Sequence, residues 1–285
     1  MGPSPQATAA PGDDEWLRLC RQAARRLGDV LDQNPTTRER AVTTGRGEGG
    51  DRSLMIDEAA EDGVFALLDE LHQSGRRFTA FSEERGRVEY GDPRLVVMID
   101  PIDGSLNAKR NLAPYSISIA VADGGTMADV AFAFVHDYGQ DEEWIARRGA
   151  GATLNGDPLA SETAERRDPA GRLEVVGVES ADPRWVAESI DGLLEHAYRL
   201  RALGSIAVSL CQVAAARMDA MLSLKRCRAF DAAAGQLIVR EAGGHVAFPV
   251  FDRPLGAPLD LKPHSPVVAA RSERALRELA AIPRA

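Results

Sequence analysis

Apolar residues three and four positions apart predict a first helix over Glu15–Gln33, with Trp16, Leu17, Cys20, Ala24, Leu27 and Leu31 on one face. Asp13 or Asp14 can cap it. The next stretch, Asn34–Asp51, is polar, rich in Gly and Arg, and has no period; a second helix is predicted over Leu54–Gln73. Short apolar runs then predict strands at Phe78–Phe81, Leu95–Ile99, Tyr115–Ala122, Val130–Val135 and Glu143–Ala146. From about Gly171 strands and helices alternate: strand Leu173–Val178, helix Pro183–Glu195, strand Ala197–Leu200 and helix Ser205–Ala216. Strand Ala220–Leu224, helix Ala232–Ala242, strand Val267–Ala270 and helix Glu273–Ala281 complete the chain. The first group reads as an antiparallel lobe packed on two N-terminal helices, the second as an α/β lobe. The expected division is a disordered tail over 1–14, an N-terminal α+β lobe over 15–170 and a C-terminal α/β lobe over 171–285.

Composition narrows the function classes. A chain of 285 residues can bury a substantial core, and a net charge of −9 argues against general nucleic-acid binding. Three scattered cysteines, Cys20, Cys211 and Cys227, suit buried thiols in a reducing cytoplasm better than a disulfide framework or a metal site. The opening MGPSPQATAAPGDD lacks the basic and apolar regions of a signal peptide, and no stretch reads as a membrane span.

The densest chemistry lies in VVMIDPIDGS, Val96–Ser105. An unbroken apolar run has the character of a buried strand, and Asp100 is expected where that strand leaves the sheet, the place where open α/β sheets put ligand chemistry. Pro101 and Gly104 allow a tight turn that aims Asp100 and Asp103 at one point, an arrangement that a hard divalent cation would relieve of its repulsion. The N–H groups of Gly104 and Ser105 can receive an anion if a helix starts there. A D-x-x-D-G segment is also an ordinary turn. Two further segments bear on the choice. FTAFSEERG (Phe78–Gly86) ends a strand in Glu83 and Glu84, 17 residues before Asp100 for the first of them; an adjacent strand ending on the same edge would put a glutamate beside the aspartates, and a solvated turn is the alternative. FDAAAGQLIVREAGG (Phe230–Gly244) places Asp231 before a helical run, where it can be an N-cap or a ligand.

FSEERG, IDPIDGSLNA and AFDAAAGQLIVREAGG, in this order, resemble the inositol monophosphatase-like superfamily of Mg²⁺-dependent, lithium-sensitive phosphatases. GEGGDRSLMIDEAAED, RALGSIAVSLCQVA and LSLKRCRAFD resemble its archaeal-type fructose-1,6-bisphosphatase/inositol monophosphatase branch. The resemblance, from about Arg38 onward, implies a layered αβαβα sandwich and hydrolysis of a sugar or inositol phosphate monoester by metal-activated water. It implies that Glu83, Asp100, Asp103, Asp231 and the Ile102 carbonyl hold two to three Mg²⁺ ions, with Mn²⁺ as a substitute and Li⁺ as an inhibitor. Gly104 and Ser105 would hold the phosphate, and Asp57, Glu83 and Ser105 would prepare the water. Ser105 stands where Thr is commoner, keeping the hydroxyl, and Phe230 where Trp is common. Asp57 can also simply favour a helix dipole. Arg201, Gly204, Ser205 and Lys225 are the expected substrate contacts; the basic residues would bind a second phosphate or sugar hydroxyls, or else line a solvated turn. The Asn34–Asp51 stretch is a surface linker or, as in the family, a loop that closes over the metals. The partner expected is a small phosphorylated metabolite, with no nucleic acid or membrane, in a homodimer. The alternatives are 3′-phosphoadenosine 5′-phosphate or histidinol-phosphate hydrolysis, or a non-catalytic regulatory protein.

Overall fold

The computed structural model describes residues 14–46, 52–160 and 164–282, which leaves the expected tail, apart from Asp14, outside the described residues. The described helices are α1 (Asp14–Gln33), α2 (Thr37–Arg40), α3 (Met55–Gln73), α4 (Ser105–Arg110), α5 (Pro183–Glu188), α6 (Ile190–His196), α7 (Ile206–Ala214), α8 (Ala229–Glu241) and α9 (Glu273–Ala280). A small antiparallel pair, β1 (Thr43–Arg46) and β2 (Arg52–Leu54), precedes α3. The larger sheet holds β3 (Thr79–Ser82), β4 (Gly86–Glu89), β5 (Val96–Asp103), β6 (Ser116–Ala122), β7 (Val130–Asp137), β8 (Glu142–Arg147), β9 (Gly151–Leu154) and β10 (Asp157–Pro158), in the order β10-β9-β8-β7-β6-β5-β3-β4. The second holds β11 (Leu173–Glu179), β12 (Ala197–Arg201), β13 (Ala220–Ser223), β14 (His245–Ala247) and β15 (Val268–Ala270), in the order β12-β11-β13-β15-β14.

Layering follows from which face of each strand is apolar and how bulky it is. On β5, Val97 and Ile99 join the core under α1 and α3, whereas Val96 and Met98 join the core that contains α7 and α8. Strands β6 and β7 repeat the alternation, with Ile117, Ile119, Phe132 and Phe134 on the first face and Ala120, Ala122, Ala133 and Val135 on the other. The bulky face receives α1 and α3; the small face admits α8 closely. Helix α8 is mostly apolar, with Phe230 and every residue from Ala232 to Val239 buried, Gln236 included, as a helix enclosed on most sides requires. A Cβ on Gly235 would sit 2.7 Å from the Leu210 side chain, so α7 and α8 pack at a distance only glycine permits. The other face of the second sheet packs Leu193, Ala275, Leu279 and Ile282, from α6, α9 and the residues just after α9. The result is the αβαβα sandwich. No helix among the described residues is long and apolar enough to cross a membrane.

Four points differ from the expectations or add to them. The larger sheet is not wholly antiparallel, because β3 and β5 run parallel. The second sheet is mixed: β12, β11 and β13 are parallel and β15 and β14 antiparallel to their neighbours. The helix expected over Pro183–Glu195 breaks at Ser189, whose backbone leaves the helical region (φ −100°, ψ 2°). The stretch after Asn34 is neither a plain linker nor free of structure. Thr36 and Glu39 form a capping box that starts α2, a Thr-x-x-Glu signal present in the sequence. Residues 47–51 lie outside the described residues.

Candidate active site

Strand β5 does not end at Ile99 but runs on through Asp103, against the expectation that Asp100 marks its exit. Its pairing explains why. Asp100 is opposite Ser118 and Asp103 opposite Ser116, three steps on one strand against two on the other. Side chains three apart on a regular strand point to opposite faces; the extra residue of this bulge brings both aspartates to the same face. Pro101, which cannot donate to a ladder, sits inside the bulge where that loss is tolerated. Parallel pairing sets Ser82 of β3 against Ile99, so Glu83 comes level with Asp100 as the adjacent-strand reading expects. Helix α3 opens beside them, and Asp57 lies in its first turn with Oδ2 accepting the Leu54 N–H at 3.1 Å.

Helix α8 begins three residues earlier than expected, at Ala229, which corrects the position of Asp231. Asp231 is its third residue rather than its N-cap. Its Oδ2 reaches back to accept the Arg228 N–H at 2.8 Å, so it serves the helix start and still lines the site. These elements enclose a cavity of about 240 Å³ lined by Asp57, Glu83, Glu84, Asp100, Ile102, Asp103, Gly104, Ser105, Leu106, Gly204, Arg228 and Asp231. Nearly every residue expected at the site lines this cavity. Ser205 touches it indirectly, through its hydroxyl on Oδ2 of Asp103.

Arg201 and Lys225 do not join it. Arg201 ends the edge strand β12 and lines a separate cavity with Gln140, Gln212 and Arg217; its guanidinium donates to the Leu200 carbonyl at 2.8 Å. Lys225 lines a third cavity and holds its ammonium 5.2 Å from the centre of the Trp185 ring. Strand direction alone could not have told which side of the second sheet these side chains take.

Burial among like charges dominates the electrostatics. Burial, followed by Asp103, Glu83 and Asp231, drives the Asp100 carboxyl well above the usual carboxylate range. Burial likewise raises Asp57 to about 7, with Glu84, Glu83 and Glu61 adding to the shift, although the Leu54 N–H opposes it. Burial also raises Asp103 to about 7 against the hydrogen bonds from Ser205 and Ala207. Among the described residues Arg228 is the only basic one lining the cavity, and its guanidinium pairs with Oε1 of Glu83 at 2.6 Å.

These residues suit a hard divalent cation in kind: every donor is an oxygen, several are carboxylates, and the buried Oδ1 of Asp57 has no hydrogen-bond partner among the described residues. They do not form a closed cage. Among the described residues no three Asp, Glu, His or Cys side chains converge in metal-binding geometry. Glu83 is turned to Arg228, while Oδ2 of Asp103 accepts Ser205 and the Ala207 N–H at 2.7 Å.

Next to the carboxylates, Gly104 opens α4 in the left-handed region (φ 91°), and a Cβ there would meet the Gly204 carbonyl oxygen at 3.1 Å. Gly104→Ala should therefore cost about 1–3 kcal/mol in stability and lower turnover at least about tenfold by displacing the start of α4. Denaturation and steady-state rates check both.

Three buried charged residues that do not line the cavity support it from behind, and only one of them has a local signal in the sequence. Arg40, buried at the end of α2, donates to the Leu31, Asn34 and Ala108 carbonyls, to Asn111 Oδ1 and to the Tyr115 hydroxyl, fastening the 34–40 segment to α4. Glu61, one turn after Asp57 on α3, is buried and raised to about 7, chiefly by desolvation; the four-residue spacing was its available signal. Glu179, at the end of β11, is buried and grips the turn before α7.

Bulged strand, helix starts and central helix layer together define a layered α+β sandwich with an acidic cavity at the junction of its sheets. Residues 13–283 match the Inositol monophosphatase family, and the chain belongs to it. The chain is 33% identical over 234 residues to Nus factor SuhB of Escherichia coli, covering 81% of this chain and 84% of that protein. It is 32% identical over 241 residues to the fructose-1,6-bisphosphatase/inositol-1-monophosphatase of Methanothermobacter thermautotrophicus, covering 81% of each. A solved inositol monophosphatase-fructose 1,6-bisphosphatase superposes with a TM-score of 0.79 at 21% identity, over 94% of this chain and 99% of that one. The Thermotoga maritima IMPase gives 0.72 at 24%, over 94% and 98%. The family is of phosphatases that are generally Mg²⁺-dependent.

Proposed function

We propose that the protein hydrolyses a phosphate monoester of a sugar or inositol, inositol 1-phosphate or fructose 1,6-bisphosphate, with Mg²⁺. The observation that carries this reading is the convergence on one cavity of Asp57, Glu83, Asp100, Ile102, Asp103 and Asp231 with Gly104 and Ser105 at the start of α4. Glu83, Asp100, Asp103, Asp231 and the Ile102 carbonyl would hold the metal. Bound Mg²⁺ supplies charge to neutralise the phosphate dianion, acidifies a water and stabilises the leaving alkoxide.

The remaining work falls to the chain. Gly104 and Ser105 carry N–H groups that a helix start does not itself satisfy, and these orient the phosphate oxygens. Asp57, fixed through Oδ2 by Leu54, keeps Oδ1 available to take a proton from the attacking water, helped by the Ser105 hydroxyl. The alcohol portion meets Leu106, Glu84 and Gly204 at the cavity wall rather than the basic residues near Lys225.

Phosphate release from inositol 1-phosphate, fructose 1,6-bisphosphate, 3′-phosphoadenosine 5′-phosphate and histidinol phosphate, with Mg²⁺ and with chelator, tests the reading. Release from either of the first two, abolished by chelation, supports it. Release from none with Mg²⁺ or Mn²⁺ overturns it. The E. coli relative named Nus factor SuhB favours a second reading, a regulatory binding role on the same fold. That role should survive loss of the Asp103 charge, whereas hydrolysis should not.

A further inference from the structure

Glu179 is 2% exposed, yet its carboxylate has no cation among the described residues. Its partners are neutral donors: the Leu203 N–H on Oε1 at 3.0 Å, the Gly204 N–H on Oε2 at 2.9 Å and the Ser209 hydroxyl on Oε1 at 2.6 Å. Burying a carboxylate on neutral partners is costly, and a structural filler would be cheaper as an apolar residue. What a carboxylate does, and glutamine or leucine cannot, is accept two consecutive backbone N–H groups on two separate oxygens.

The gripped turn is held as tightly on its other side. Asn107 of α4 donates to the Leu203 carbonyl at 2.7 Å and to the Pro114 carbonyl at 2.8 Å. Gly204 adopts φ 82°, and a Cβ on it would lie 2.8 Å from the Asn107 amide nitrogen. The next residue, Ser205, caps α7 by accepting the Val208 N–H at 3.1 Å and gives its own hydroxyl to Asp103. One path of hydrogen bonds therefore runs from Glu179 through Leu203–Ser205 to the Asp103 carboxylate, and the Gly204 carbonyl oxygen lies where a Cβ on Gly104 would come within 3.1 Å of it, joining the second sheet to the cavity floor.

We propose that Glu179 is a positioning residue for the reaction: by fixing the Leu203–Ser205 turn it sets where Asp103 presents its charge and how Gly104 faces the phosphate. This inference rests on the phosphatase reading above. Glu179→Gln is nearly isosteric but offers one acceptor oxygen, so an N–H of the turn faces an amide N–H and the turn shifts.

The test uses the full chain, with turnover on whichever substrate of the panel is cleaved and Mn²⁺ binding to the metal-free protein by electron paramagnetic resonance. Glu179→Gln should lower kcat about 10–100-fold, leave KM within about threefold and weaken Mn²⁺ about tenfold. Ser205→Ala should show losses in the same quantities, and the double variant should be no worse than the poorer single one, because both act along one path. A purely structural role would lower the melting temperature while kcat per folded molecule and the Mn²⁺ affinity stay put, which overturns the proposal; so do losses that multiply in the double variant. If Glu179→Gln does not fold, Ser209→Ala decides by removing the third donor: a several-fold loss of kcat supports the proposal and no change overturns it. A parent protein that neither binds Mn²⁺ nor releases phosphate overturns the phosphatase reading and this proposal with it. A parent active in both, with Glu179→Gln indistinguishable from it, overturns this proposal alone.

Discussion

Asp103→Asn should lower phosphate ester hydrolysis at least about 10³-fold while making the metal-free protein more stable, by about 1–3 kcal/mol above pH 8. The two effects have one cause. Asn keeps an oxygen that can accept the Ser205 hydroxyl and the Ala207 N–H, so the local structure survives. It removes a negative charge buried near Asp100 and Glu179, whose repulsion the folded protein carries when no cation is bound. On the proposed reading, activity by contrast needs that charge to hold the cation and the phosphate dianion together. Urea denaturation of chelator-treated protein and rates at saturating substrate measure the two sides. Full activity in the variant would remove Asp103 from the metal set; a loss of stability would show that its hydrogen bonds outweigh the repulsion.

The metal-free protein should also be more stable near pH 5.5 than near pH 8, by at least about 3 kcal/mol. Asp57, Glu61 and Asp103 each have a folded pKa of about 7, against ordinary values of 3.8, 4.5 and 3.8. Between those limits the folded state binds more protons than the unfolded chain, so stability falls as pH rises through about 4 to 7 and stays low above. From pH 5.5 upward each group accounts for up to about 2 kcal/mol, and their mutual coupling keeps the sum below three times that. Saturating Mg²⁺ should reverse the trend, since cation binding requires the deprotonated carboxylates. Denaturation midpoints at the two pH values, with and without Mg²⁺, decide. Stability of the stripped protein that rises with pH would show that these carboxyls are not held neutral.

How much of this could be read from the chain differs by residue. The VVMIDPIDGS segment is legible because it packs strand, bulge proline, paired carboxylates and turn glycine into ten consecutive positions. Glu83 reads from the chain itself as a strand-end glutamate or a solvated turn, and it is the parallel pairing of β3 with β5 that sets it level with Asp100. Asp231 reads from the chain as an N-cap or a ligand, and Arg228 and Ala229 give no sign that α8 begins early enough to make it the third helical residue. Arg201 and Lys225 read by charge as substrate contacts or as a solvated turn, and their positions depend on the edge of a sheet and the face of a ring. Glu179 reads in sequence as a polar residue closing an apolar strand, and only the fold reveals that it meets a turn 24 residues further on. Side chains inside a motif are legible in the chain; those outside any motif, whose partners arrive by tertiary packing, are not.

Helix α8 covers the small-residue face of the larger sheet, yet it is made more than eighty residues after β8. At about 5–20 residues per second, a ribosome takes roughly 4–20 s to supply it. During that interval Met98, Ala120, Ala133, Val135 and Trp144 lack the lid that buries them in the finished molecule. The nascent chain thus passes through a stage with an apolar sheet open on one side, so slowing translation between codons 150 and 240 should lower the soluble yield.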